Sequence, residues 1–250
     1  GTYTLNSGNL TVGGIVAVGG DSTNDNQLIQ NGGNIVLTGA AASNPDYVSV
    51  SAGCFSPTGS CSYPGTFYVG GQSASDYGTG TYTLNGGTLN TPTLDVGYAG
   101  TGTLNQNGGT ITTSYVDIGD CGGCAGGNAA GFYNLNGTGT LSTTNLNVGD
   151  FGHGEFTQGA DGNGTTTNTV NGTLSIGNGA TAMPNLANPG NYDRSGTYTL
   201  DSGTLNTQYT VVGAAGTGTF NHNGGTHAVT NTLTIGQTYQ DYGPGEPGSG

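Results

Sequence analysis

Asp95 and Asp117 occupy the same place in two neighbouring copies of a recurring phrase, TLDVG at 93–97 and YVDIG at 115–119. If the copies are stacked strands, the two carboxyls sit one strand spacing apart, ~5 Å. That separation suits the paired acids of a retaining glycosidase, and it also suits a shared Ca2+. Asp120 lies close by in sequence, and Asn147 continues the row in the next copy. Asp95, Asp117 and Asp120 are therefore the candidate metal ligands, with Ca2+ the candidate cofactor. The plain alternative is a pair of solvated acids on an outward face, whose repulsion a cation would relieve. Catalysis fits less well, because a polysaccharide lyase needs a basic residue beside its acid. The chain has one basic residue, Arg194, far along the sequence. No enzyme activity is expected.

Other reactive residues give weaker signals. DGNGTTTN (161–168) lacks the spaced acids of a calcium-binding loop and reads as a Gly/Asn turn. The cysteines form two local pairs, Cys54/Cys61 and Cys121/Cys124. A zinc site would need a second pair at matching spacing, and His153, His222 and His227 are scattered. Loop-stapling disulfides are the favoured reading, with Cys54–Cys61 pinning a large insertion, while all three connectivities stay open.

Composition narrows the partners. Fourteen acidic residues against a single basic one give a net charge of −13, and one arginine cannot neutralise a row of phosphates. Nucleic acid and anionic membranes are thus disfavoured. No apolar run approaches the ~18–20 residues needed to span a bilayer. Charged residues make up only 6% of the chain, too few for ordinary charge-rich disorder. The cysteine pairs and the scarcity of charge suggest an oxidising, extracellular setting. The chain opens in mid-pattern, as expected of a processed form or a segment of something longer.

The elements that would hold these residues are repeats. GTYTLN begins the chain and recurs at Gly80, and GTYTL recurs at Gly196. Aligning the opening Gly with the closing Val-Gly or Ile-Gly gives about eight units. They run 1–19, 26–70, 80–97, 102–119, 131–149, 154–177, 196–213 and 218–236. In the third unit Tyr82 and Leu84, then Leu89, then Leu94 and Val96 follow the strand period of two. Gly86-Gly87 and Thr91-Pro92 mark corners between them. The spacing predicts an all-β parallel β-helix (β-solenoid) of about eight rungs, each with three short strands, making a rod roughly 35–40 Å long. The competing reading turns Asn-Gly-Gly into a hairpin and builds an antiparallel sheet.

A finer alternation doubles the period. One inward position reads Leu5, Gln30, Leu84, Gln106, Leu135, Gln158, Leu200, His222. The position two before it reads Tyr3, Leu28, Tyr82, Leu104, Tyr133, Phe156, Tyr198, Phe220. Long connectors follow the even units only, so the expected module is a pair of rungs, repeated four times. Buried Gln needs partners, and bonds to the backbone of the next rung are expected. His222 reads as a polar substitute for that Gln. The repeat domain is assigned to 1–236, with an insertion at 39–64, and 237–250 is a tail that caps the rod or links subunits.

Phrases such as LDVGYAGTGTLNQNGGTI (94–111) and YTVVGAAGTGTFNHNGGT (209–226) resemble the Gly/Thr/Asn-rich repeats of bacterial autotransporter passengers and PEP-CTERM-associated surface proteins. The resemblance covers most of the chain outside the insertions. It implies a right-handed β-helix, secretion and a role at or beyond the cell surface. The sequence departs from those families in showing neither a translocating barrel nor the apolar-plus-basic sorting tail.

An uncapped solenoid presents unpaired strand edges that template a further chain, and head-to-tail contacts that do not close give filaments. Gly1, Thr2, Tyr3, Tyr239 and Tyr242 are the candidate assembly residues. The expected function is that of an extracellular structural protein, the subunit of a filament or fibrous surface layer, with itself as partner. The alternative is an adhesin or glycan-binding module using the long loops and surface tyrosines such as Tyr63, Tyr68, Tyr77 and Tyr192.

Overall fold

A computed structural model describes residues 1–19, 26–38, 65–71, 78–120, 129–177, 195–214 and 216–237. The described residues are all-β, without helix, and form a parallel, solenoid-like coil. In chain order the strands are β1 (Thr2–Leu5), β2 (Asn9–Val12), β3 (Val16–Val18), β4 (Asn26–Gln30), β5 (Asn34–Leu37) and β6 (Thr66–Val69). Then come β7 (Thr79–Leu84), β8 (Thr88–Asn90), β9 (Thr93–Val96), β10 (Thr101–Gln106), β11 (Thr110–Thr112) and β12 (Tyr115–Ile118). They continue with β13 (Ala130–Leu135), β14 (Thr140–Thr143), β15 (Asn145–Val148), β16 (His153–Gln158) and β17 (Thr167–Ile176). The last are β18 (Ser195–Leu200), β19 (Thr204–Ala214), β20 (Thr217–His222) and β21 (Thr226–Gln237).

Among the described residues no strand pairs with its neighbour in sequence as a hairpin would. β1 pairs with β4, and the first sheet runs β1-β4-β7-β10-β13-β16-β18-β20, every step parallel. The antiparallel alternative is therefore excluded. The corner after β7 shows why Asn-Gly-Gly does not close a hairpin here. Gly87 has φ 86°, and a Cβ there would lie 2.1 Å from the Gly33 carbonyl of the coil below. The turn is thus spent on stacking corner over corner. Asparagines beside it form a ladder up the stack, Asn31 to Asn6, Asn85 to Asn31 and Asn107 to Asn85, at 2.8–2.9 Å. Such ladders satisfy each amide from the layers above and below.

The second corner explains a difference from the expected three strands per rung. Thr91 tucks its buried hydroxyl under the bend, where its one hydrogen is shared between the Thr93 and Gly65 carbonyls. Thr113 and Thr143 repeat the device. Pro92 enforces the break in one coil, having no N–H to give the ladder. From β17 onward no proline stands at this corner, and the middle and closing strands run together as β17, β19 and β21. Register shifts between Val170 and Thr173 and between Thr207 and Tyr209 are what remains of the corner.

Alternation puts Tyr82, Leu84, Leu89, Leu94 and Val96 inside and threonines outside. A single coil buries too little to stand alone, so neighbours above and below supply the packing. Each fully buried Leu or Phe then contributes roughly 1.5–3 kcal/mol. The aromatic column is continuous: Tyr133–Phe156 at 4.6 Å, Phe156–Tyr198 at 4.7 Å, Tyr198–Phe220 at 5.3 Å between centroids.

The buried glutamines are fully partnered. Gln30 Nε2 donates to Thr88 O of the next coil and Gln106 Nε2 to Thr140 O, both at 3.0 Å, as expected of bonds between rungs. The unexpected partner is a tyrosine. Tyr82, Tyr133 and Tyr198 each donate their hydroxyl to the Oε1 of the Gln one coil below, at 2.6, 2.5 and 2.6 Å. In these three pairs the even coil offers an amide and the odd coil above it answers with a phenol, which links the two alternating rows.

Candidate functional site

β9 and β12 pair in parallel with Asp95 beside Asp117. Their flanking residues Leu94, Val96, Val116 and Ile118 enter the core, so both acids point away from it. Outward does not mean solvated here. Asp95 is only 2% exposed, and Asp117 is half-buried. A second, small apolar cluster of Tyr68, Tyr98, Ala99 and Ala129 lies outside the main core. Tyr68 neighbours Asp95 in register, and its ring meets Tyr98 edge-on at 5.6 Å. The reading of Asp95 as a solvated acid is corrected accordingly. So is the placing of Tyr68 among surface tyrosines, since it is fully buried.

Burial penalises charge on Asp95, and the Asp117 carboxylate alongside penalises it further, so its pKa is well above the usual carboxylate range. Asp117 accepts hydrogen bonds from Asn147 Nδ2, at 2.6 Å, and from Asp95. Asp95 is thus the member of the pair that keeps the proton. The unfolded chain releases that proton near pH ~3.9, whereas the folded chain holds it to higher pH. Stability from this group is therefore full below that pH and falls as the pH rises toward the folded value. Asp95→Asn mimics the protonated acid. It is expected to raise the urea-unfolding midpoint at pH 7, because the amide carries no charge to desolvate beside Asp117. Little change is expected at pH 4. Destabilisation at pH 7 would mean that the charged form is the one in use, as a cation ligand would be.

Asp120 is buried too, 2% exposed. Among the described residues, no group of three or more His, Cys, Asp or Glu side chains is gathered as a metal site. The ≈ 290 Å³ recess at the Pro92 corner is lined by Val36, Leu37, Asn90, Thr91, Thr112, Thr113 and Ser114 rather than by the acids. Cys54, Cys61, Cys121, Cys124, Tyr63, Tyr77, Tyr192, Arg194, Tyr239 and Tyr242 lie outside the described residues, as do the 39–64 insertion and 238–250.

The two end faces of the coil are built differently from its interior. At one end Tyr3 is 50% exposed, and a hollow of ≈ 530 Å³ opens between Tyr3, Leu10, Val16, Val18 and Leu28. Gly1 donates its amino group to Asn26 Oδ1, at 2.9 Å, and Gly1 and Thr2 help line the hollow. At the other end β20 and β21 hold Phe220, His222, His227, Leu233 and Ile235. Leu233 is 52% and Ile235 76% exposed. In the coil below, their register partners Thr210 and Val212 are buried, and one coil further down Leu174 and Ile176 are buried completely. His227 lies stacked on Phe220 at 5.0 Å, and its Nε2 is 3.2 Å from both Thr207 and Thr210 hydroxyls.

The structure therefore brings Gly1, Thr2 and Tyr3 together on one face. The exposed Leu233 and Ile235 were not singled out from the sequence, although they are the outermost copy of the Leu-x-Val row. No family model matches this chain, and no curated protein and no solved structure is significantly similar to it.

Proposed function

We propose that this chain is an extracellular structural protein. It forms a rigid rod of about eight rungs, grouped as four two-rung modules, whose copies stack end to end into a filament or fibrous surface layer. The observation that carries this reading is the exposure of apolar side chains on the first and last described coils. Leu233 and Ile235 on β21 are exposed at positions that the interior coils bury, while Tyr3, Leu10, Val16, Val18 and Leu28 line a hollow at the β1 face. Among the described residues both faces also end in strand edges with no further strand beside them, β1 and β20 being the outer strands of the first sheet. Enzyme activity is not part of the proposal, because Asp95 is buried and neither it nor Asp117 lines the recesses described above. Secretion, a surface location and kinship with the autotransporter and PEP-CTERM-associated repeats belong to the same proposal, supported by the Gly/Thr/Asn-rich phrasing and the two cysteine pairs.

Sedimentation velocity over a rising concentration series tests it. Fast-sedimenting species should appear above a threshold concentration. A single monomer boundary at every concentration would overturn the reading.

A further inference from the structure

The internal stack follows a rule that leaves one half of a pair at each end face. In the interior, an odd coil's tyrosine donates its hydroxyl to the polar side chain one coil below: Tyr82 to Gln30, Tyr133 to Gln106, Tyr198 to Gln158. Tyr3 holds the odd position in its coil and is half exposed. His222 holds the even position, in register with Leu200, and is exposed. The asparagine ladder is divided in the same way. Within it the upper residue's Nδ2 donates to the lower residue's Oδ1; Asn6 Oδ1 already accepts from Asn31, and Asn223 Nδ2 already donates to Asp201. Asn6 therefore has its amino group left to give, and Asn223 its carbonyl oxygen left to receive.

Resting on the filament reading, we propose that the β20–β21 face of one copy docks on the β1–β3 face of a second copy of this chain, in the register of the internal coils, with Tyr3 of the incoming copy hydrogen-bonded to His222. The occupant is a second copy because Tyr3 and Asn6 of one face complete His222, Phe220 and Asn223 of the other. The phenol meets the imidazole, the Asn6 amide meets Asn223, and the Tyr3 ring meets Phe220, extending the aromatic column. The same register sets Leu233 over Val16 and Ile235 over Val18, as Leu174 lies beside Leu146 and Ile176 beside Val148 inside the rod. A neutral imidazole supplies the acceptor that Gln Oε1 supplies elsewhere. One corner does not continue the pattern. Asn26 is in register with Gly80, where a Cβ would lie 1.9 Å from the Val18 carbonyl, so the junction stands open at that corner. The junction is consequently weaker than the internal stack, and filaments dissociate before their subunits unfold.

The test measures the critical concentration for assembly of the full 250-residue chain and four variants. Tyr3→Phe and His222→Leu are each expected to raise it roughly three- to tenfold, the value of one net hydrogen bond. His222→Gln restores the interior pair and should leave it unchanged or lower it. In the His222→Leu background, adding Tyr3→Phe should have no further effect, since the two act through one bond. Both residues are exposed in the single chain, so urea midpoints of the variants should match the parent and separate folding from docking. Filaments whose Tyr3→Phe and His222→Leu effects simply add, or do not occur, would overturn this junction and leave the filament reading standing. Failure of the parent chain to assemble at any concentration would overturn both.

Discussion

Gly196→Ala is expected to keep the chain from holding its coiled state. Gly196 is the second residue of β18, at the point where the exits of two earlier coils converge. A Cβ there would lie 1.9 Å from the Val148 carbonyl oxygen and 2.4 Å from the Gly177 amide nitrogen. Both are backbone atoms, and neither can rotate aside. The same contact recurs at Gly80 against Val18, Gly102 against Val69, Gly131 against Val96, Gly154 against Ile118 and Gly218 against Ile176. A shift that relieves one level therefore presses on the next, because interiors packed this closely transmit strain. A cost on the order of 4–5 kcal/mol or more follows, in the range reserved for severe core lesions. Against a total stability of about 5–15 kcal/mol, that is enough to unfold much of the population. Gly14→Ala is the matched control, since nothing lies within 4 Å of its added Cβ. It should change stability by no more than about 0.5 kcal/mol. Urea titration followed by far-ultraviolet circular dichroism checks both. A Gly196→Ala chain with the parental midpoint would mean that the corner is not this tightly closed.

The second large effect concerns assembly rather than folding. The double variant Leu233→Lys, Ile235→Lys should remain folded and lose filament formation. Docking in the internal register would bury both aliphatic side chains, worth roughly 1.5–3 kcal/mol each. Two ammonium groups in their place would face Val16 and Val18 with no carboxylate partner, and burying an unpaired charge is costly. The critical concentration should rise by about a hundredfold or more, each 1.4 kcal/mol being tenfold. In the single chain both positions are largely exposed, so folding stability should move by no more than about 0.5 kcal/mol. Light scattering against concentration measures the effect. Unchanged assembly would place the contact between copies elsewhere on the rod.

Much of the coil could be read from residue spacing. The pairs Tyr82/Leu84 and Leu94/Val96, set two apart between glycine corners, carry both the strand period and the inward face, and the parallel stack follows from the constant repeat. The acidic row was placed correctly on adjacent closing strands and wrongly in solvent. Alternation reports which way a side chain leaves its strand, not what lies beyond. Asp95 is buried because Tyr68 and Tyr98 build a second apolar layer, and Tyr68 comes from a strand after a long insertion whose placement no local pattern reveals. The merging of middle and closing strands from β17 onward was likewise hidden. Thr-rich corners without proline allow either a bend or a bulge, and tertiary pairing with β19 decides between them. The Tyr and Gln rows were both visible in the sequence. That they answer each other required the coil-to-coil register, because the two residues of a pair are 27 to 52 positions apart.

Cryo-electron microscopy of the chain above its assembly threshold tests the central claim most directly. The account predicts polar, unbranched filaments whose subunits rise by roughly 35–40 Å, one rod length of strands spaced ~4.8 Å apart, with the strand stacking continued across each junction except at the Asn26 corner. Discrete short rods at every concentration, or rods joined side by side with their end faces open, would contradict it.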